Sequence, residues 1–211
     1  MLKKLLVLVA VVLFVAPLSS ADWALDFEWG LGHDGEVISS GVPGLEFTTT
    51  AGYDWVYGDI TTNGYNTHSI DMGYGSGQYD MYGYVFAWLG PNAGQGKISF
   101  LNGDGGYFET RYCALYDFYL EAYDINNNLL DSDVGPGNLY EVNTMGTLRV
   151  ESAGNDIAYV LMHDSGNFWE IDNISGDATG VSDPGNPIPE PGTLLLLGTG
   201  LLGLGAFLRR K

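Results

Sequence analysis

Residues 22–29 alternate without a break, with Trp23, Leu25, Phe27 and Trp29 on one side and Asp22, Asp26 and Glu28 on the other. A period of two over eight residues fits a half-buried strand and no helix. Nothing between 22 and 186 sustains a 3.6-residue apolar period, and 31 glycines beside few Lys and Gln disfavour helix on propensity. Further strands are expected at 44–50, 54–60, 79–89, 97–101, 107–114, 118–123, 147–152, 157–163 and 168–174. Between them sit turn clusters such as Asn102-Gly103-Asp104-Gly105-Gly106 and Gly135-Pro136-Gly137-Asn138. Nine or ten short strands of this kind imply an all-β, antiparallel β-sandwich with jelly-roll connections. The run Ile157-Ala158-Tyr159-Val160-Leu161-Met162 is apolar on both faces and predicts a central strand.

The chain has 211 residues, and setting aside an apolar segment at each end leaves roughly 165, one ordinary domain's worth. Of 8 basic residues only Lys97, Arg111 and Arg149 lie in that middle part, against 25 acids, a net charge of −22. Such a surface repels phosphate backbones and anionic headgroups, which excludes nucleic acid as a partner. Disorder is not indicated, because 45% hydrophobic and 13% aromatic residues supply apolar area to bury. A single cysteine, Cys113, allows neither an internal disulfide nor a multi-thiolate metal site, and is expected to be a small buried residue.

Both ends read as addresses. Residues 1–21 have the layout of a signal peptide: Lys3-Lys4, an apolar run from Leu5 to Val15, then Pro17 and Ser19-Ser20-Ala21. Cleavage is expected after Ala21; the alternative is an uncleaved anchor. An ectodomain at 22–182 is followed by a Pro/Gly linker at 183–192 containing Pro189-Glu190-Pro191, an uncharged Leu/Gly stretch at 193–208, and Arg209-Arg210-Lys211. Sixteen helical residues reach roughly 24 Å, close to the lower limit for crossing a bilayer. The closing basic trio would act as a membrane stop on the cytoplasmic side, leaving the acidic domain outside.

This order of Pro189-Glu190-Pro191, a Leu/Gly transmembrane stretch and a terminal basic cluster resembles the PEP-CTERM sorting signal of Gram-negative bacteria that make exopolysaccharide. The resemblance implies transient anchoring in the inner membrane and processing at the tripeptide by an exosortase-like membrane enzyme. The phrases Leu120-Glu121-Ala122-Tyr123-Asp124, Asn128-Leu129-Leu130 and Phe168-Trp169-Glu170-Ile171-Asp172-Asn173-Ile174 are similar to β-sandwich ectodomains found ahead of this signal. Those in turn resemble carbohydrate-binding-module jelly rolls.

An acidic domain without disulfides can gain stability from a structural Ca2+, which needs six to eight oxygens. By resemblance to jelly-roll modules, where such an ion joins the first and last strands, the expected ligands are Asp26, Glu28 and Asp172; the alternative is that these acids face solvent. Asp124-Ile125-Asn126-Asn127-Asn128 begins like an EF-hand loop, but Leu129 and Gly135 stand where a glycine and a bidentate glutamate belong, so a hairpin turn is expected. Two aromatic rows stand out: Tyr53, Trp55 and Tyr57, and Tyr82, Tyr84, Phe86 and Trp88. Such rows either fill the inter-sheet core or stack on sugars, and Trp55 and Tyr57, flanked by Gly52 and Gly58-Asp59, are the expected carbohydrate contacts. The three histidines, His33, His68 and His163, share no metal spacing, and no Gly-x-Ser-x-Gly elbow or phosphate loop occurs, so no catalytic residue is assigned. The expectation is a non-enzymatic surface or matrix protein. A calcium-dependent module binding exopolysaccharide is the alternative, and a glycan hydrolase the third.

Overall fold

The computed structural model describes residues 22–184 except 39–40, 53, 60, 63–83, 91–93, 140–144 and 167. Ala21 and the rest of the expected signal peptide, Pro189-Glu190-Pro191, the apolar stretch 193–208 and Arg209-Arg210-Lys211 lie outside the described residues, as do Tyr53, His68 and Tyr82.

Eleven strands form among the described residues: β1 (Trp23–Leu25), β2 (Leu45–Thr49), β3 (Val56–Asp59), β4 (Val85–Trp88), β5 (Gly96–Phe100), β6 (Tyr107–Ala114), β7 (Phe118–Tyr123), β8 (Leu129–Gly135), β9 (Gly146–Glu151), β10 (Tyr159–His163) and β11 (Trp169–Gly176). One sheet runs β3-β4-β11-β6-β9 with β1 added on β11; the other runs β2-β5-β10-β7-β8. From β4 onward the strands divide into β4-β11-β6-β9 and β5-β10-β7-β8, the strand orders of the two sheets of an eight-stranded jelly roll. β10 is the middle strand of its sheet, as its two-sided apolar run predicts.

Inward side chains of both sheets meet in one core that includes Phe27, Phe47, Trp55, Phe108, Phe118, Tyr112 and Trp169. Neighbouring rings form a continuous aromatic line: Phe27–Phe47 at 6.1 Å, Phe47–Trp55 at 5.6 Å, Trp55–Trp169 at 5.4 Å, Trp169–Phe118 at 5.0 Å and Phe118–Tyr112 at 4.9 Å between centroids. Several of these contacts are edge-to-face, the arrangement the ring quadrupoles favour. Cys113 is buried, as expected, beside Leu139 and Met145.

The first strand is shorter than the alternation at 22–29 predicts. β1 stops at Leu25, and Phe27 takes a left-handed backbone conformation (φ 61°) that sends the chain into a 3-10 turn at Glu28–Gly30. Phe27 keeps its ring in the core, so burial still alternates although the ladder has ended. Past this turn the Glu28 side chain reaches β4, where its Oε1 accepts the amides of Tyr84 (2.7 Å) and Val85 (3.0 Å).

β8 is absent from the expected strands because Leu-Leu-Asp-Ser-Asp-Val-Gly has no apolar alternation. Its alternating residues serve a different purpose. Asp133 Oδ2 accepts the Arg149 amide (3.0 Å) and Asp131 Oδ2 accepts the Glu151 amide (2.9 Å), so carboxylates on one sheet's edge strand occupy outward donors on the edge of the other. On the opposite side, Val37 bridges Val56 and Thr48 bridges Asp54. Unpaired edges invite intermolecular strand pairing, and these contacts occupy them. Replacing Asp131 and Asp133 together by alanine is expected to cost about 1–3 kcal/mol and to produce concentration-dependent self-association. Light scattering beside thermal melts checks this; a monodisperse variant as stable as the parent would remove the edge role.

Candidate functional site: the outer face of the five-stranded sheet

Trp55 and Tyr57 are core residues, which corrects the expectation that they are exposed sugar contacts. Trp55 has no exposed surface, its ring meets Phe47 and Trp169 edge-on, and its Nε1 donates to the Thr48 carbonyl (2.6 Å). Tyr57 lies against Gly30, where no Cβ intervenes, and its hydroxyl accepts a hydrogen bond from Trp29 Nε1 (2.8 Å). The flanking glycines do not make the segment a surface turn; the absence of a side chain at Gly58 makes room for the Phe86 ring on the sheet's other face. In the second row, Val85, Ala87 and Leu89 face the core, so Tyr84, Phe86 and Trp88 stand on the outer face, where Tyr84 is exposed and Phe86 is covered.

The three expected calcium ligands are not gathered. Asp26 is exposed and accepts the Glu28 amide (3.1 Å), Glu28 caps β4, and Asp172 is buried with its Oδ1 accepting the Asn173 amide (2.7 Å). The turn at Phe27 removes Asp26 and Glu28 from one strand face. Among the described residues no three His, Cys, Asp or Glu side chains form a group able to hold an ion. The Asp124 segment is the expected hairpin turn between β7 and β8: Asp124 accepts the Asn126 and Asn128 amides and Asn128 Nδ2, and Asn127 has φ 64°. These hydrogen bonds, led by those from Asn128, hold its carboxyl below the usual carboxylate range.

An aromatic surface does exist, on different strands. In β7, Phe118, Leu120 and Ala122 point inward, which turns Tyr119, Glu121 and Tyr123 outward; in β10 the outward set is Tyr159, Leu161 and His163. The register places Tyr123 opposite Tyr159 and Tyr119 opposite His163. Both pairs stack, at 5.1 Å with 7° between planes and at 5.0 Å with 13°. Lys97 of β5 sets its Nζ 3.9 Å from the centre of the Tyr159 ring. Tyr123 Oη donates to Glu121 Oε2 (2.8 Å) and Tyr159 Oη donates to Asn127 Oδ1 (2.9 Å). Burial, then the Glu121 carboxylate, pushes the Tyr123 hydroxyl up to about 12, and burial and Asp124 raise that of Tyr159. Both phenols therefore stay protonated donors at neutral pH.

At the Tyr119 end this face runs into an open cleft of about 460 Å³ lined by Tyr116, Asp117, Tyr119, Pro136, Gly137 and Ser165. Tyr116 and Tyr119 are 47% and 38% exposed. Gly166 presses on Tyr116: a Cβ there would lie 2.5 Å from the ring. None of these rings was singled out from sequence. The signal available was the Tyr119, Glu121, Tyr123 alternation, but only cross-strand register reveals that β10 supplies the second ring of each pair.

The six-stranded sheet has a different outer face. Glu170, opposite Cys113 in register, is 3% exposed and its Oε1 has no hydrogen-bond partner. Burial, then the neighbouring Asp172, raises its carboxyl well above the ordinary range. A second open cleft of about 460 Å³ lies nearby, where Asp26, Glu109, Arg111, Asn173 and Asp183 meet.

No curated protein sequence matches the chain. Among solved structures it is similar to the K2 cleaved adhesin domain of Lys-gingipain, at 11% identity over 74% of this chain and 98% of that one, with a TM-score of 0.44. It is also similar to the K1 cleaved adhesin domain of Lys-gingipain from Porphyromonas gingivalis W83, at 14% identity, 76% and 99% coverage and a TM-score of 0.43. A family 29 carbohydrate binding module from Piromyces equi is similar at 10% identity over 49% of this chain and 74% of that one, with a TM-score of 0.33. At the C-terminal end, residues 187–211 match the PEP-CTERM protein-sorting motif, which marks an exported chain for membrane anchoring and exosortase processing.

Proposed function

We propose that the protein is an exosortase-processed component of the cell surface or extracellular matrix, and that its β-sandwich is a non-catalytic contact module. The motif at 187–211 carries this reading. The acidic jelly roll fits it, as do the signal-like layout of residues 1–21 and the uncharged Leu/Gly stretch at 193–208. Replacing Pro189, Glu190 and Pro191 by alanine is expected to leave the full-length chain in the inner membrane. Intact masses from envelope and medium check this, and an unchanged mass and distribution would refute the sorting role.

A second reading, favoured by the stacked rings of β7 and β10, is that the module binds exopolysaccharide. Flat aromatic side chains beside hydrogen-bonding groups suit sugar rings, which present apolar C–H faces rimmed by hydroxyls. The double variant Tyr119→Ala/Tyr159→Ala is expected to weaken retention on the producer's immobilised exopolysaccharide by about tenfold, a loss of about 1.4 kcal/mol, with the β-sheet circular dichroism spectrum retained and melting lowered by a few degrees as the stacked pairs are lost. Equal retention would confine the module to a structural coat role. Loss of binding in EDTA would support calcium dependence; binding that survives EDTA would remove calcium from the reading.

A further inference from the structure

The cleft at the end of the aromatic face combines features that a neutral sugar alone does not use. Tyr116 and Tyr119 expose phenol rings into it, Asp117 adds a carboxylate, Ser165 adds a hydroxyl, and none of its lining residues is basic. Its volume falls in the range of small-ligand sites. The surrounding domain, residues 22–182, carries 24 acids against 3 bases, a field that concentrates cations and repels anions. The domain's tyrosines already receive cations: Lys97 Nζ sits 3.9 Å from the Tyr159 ring centre, and the Arg149 guanidinium carbon sits 3.9 Å from that of Tyr107. A tyrosine face attracts an ammonium through its quadrupole, and an adjacent carboxylate adds to that attraction.

We propose that the cleft formed by Tyr116, Asp117 and Tyr119 binds a protonated amino sugar, a deacetylated hexosamine unit of a polysaccharide. The inference rests on the saccharide reading of the adjoining face and specifies which sugar the end of that face selects. The ammonium lies against the tyrosine rings with Asp117 as counter-ion, and Ser165 is within the same cleft for a hydroxyl. An N-acetylated unit carries a neutral amide in place of the ammonium and loses both interactions. The Tyr116 ring packs closely against Gly166, where a Cβ would lie 2.5 Å from it.

The test is calorimetric titration of the full chain in detergent with glucosamine hexamer and with N-acetylglucosamine hexamer. The amine form is expected to bind about tenfold more tightly. Asp117→Asn and Tyr116→Ala should each bring the two affinities within about twofold, with unchanged melting curves, whereas a general attraction of a polycation to an acidic protein would survive both changes. Equal affinity for the two oligomers would overturn the amino-sugar inference and leave the saccharide reading standing. A preference unaffected by either variant would overturn the site. Absence of binding to both oligomers, joined by absence of binding to the exopolysaccharide, would remove the inference and the reading together.

Discussion

Glu170→Leu is expected to raise the melting temperature at pH 7 and to flatten its fall with pH. Glu170 lies on the central strand β11, on the face away from the main core, almost wholly buried and with Oε1 unpartnered. A buried polar atom left without a hydrogen bond costs about 1–3 kcal/mol, and an ionised carboxylate there costs more. Its pKa is raised by burial and then by Asp172, so the folded state retains a proton that the unfolded state releases near the ordinary carboxyl value. Where the native state binds more protons than the unfolded state, stability decreases with rising pH. The penalty is absent below the unfolded pKa and grows from there up to the raised folded value. Leucine removes both the orphaned oxygen and the proton, giving an expected gain of about 1–3 kcal/mol at pH 7, or roughly 3–10 °C. Glu170→Gln should flatten the profile with a smaller gain, because a polar group remains. Melting curves from pH 4.5 to 8 decide the matter: wild type and both variants running in parallel would show that Glu170 does not titrate in a dry environment.

Trp55→Ala should act in the opposite direction and by more. The Trp55 ring occupies the middle of the aromatic line across the core, and its Nε1 donates to the Thr48 carbonyl of β2. Truncating a buried tryptophan removes the transfer free energy and leaves a cavity, typically about 3–5 kcal/mol, which is a large part of an ordinary domain's stability. The expected result is a melting temperature lower by about 10 °C or more, with near-ultraviolet circular dichroism weakened by the altered ring contacts. Tyr119→Ala, on the exposed face, should move it by no more than about 2 °C. A Trp55→Ala protein that melts like its parent would contradict the buried placement of this side chain.

The sandwich was legible in the sequence because its strands punctuate themselves. β6 and β7 coincide with expected segments, and the two-sided apolar run gives the middle strand β10. β8 was illegible because Asp131 and Asp133 make its alternation polar, their oxygens being directed at β9 rather than at water. Phe27 hid the end of β1, since a residue of positive φ kept its ring in the core and preserved the alternation of burial. The candidate site was misplaced for a related reason. The alternation at Trp55 and Tyr57 identifies one face of a strand but not whether that face points inward, and the glycines beside them open space for neighbouring rings as readily as they make surface turns. Tyr119 with His163 and Tyr123 with Tyr159 become neighbours only through pairing across about forty residues of chain, a relation that period-two patterning does not encode.

β1 and β11 lie side by side with Trp23 opposite Gly176, and residues 179–182 fold back on Pro43, Gly44 and Asn102 at that same pole. The stacked His163 and Tyr119 stand at the other pole, a full length of β10 away, about 17 Å at the rise of an extended chain. The last described residues therefore leave the sandwich at the pole opposite its ring-lined tip, so the exit of the chain and the exposure of those rings do not compete for one surface.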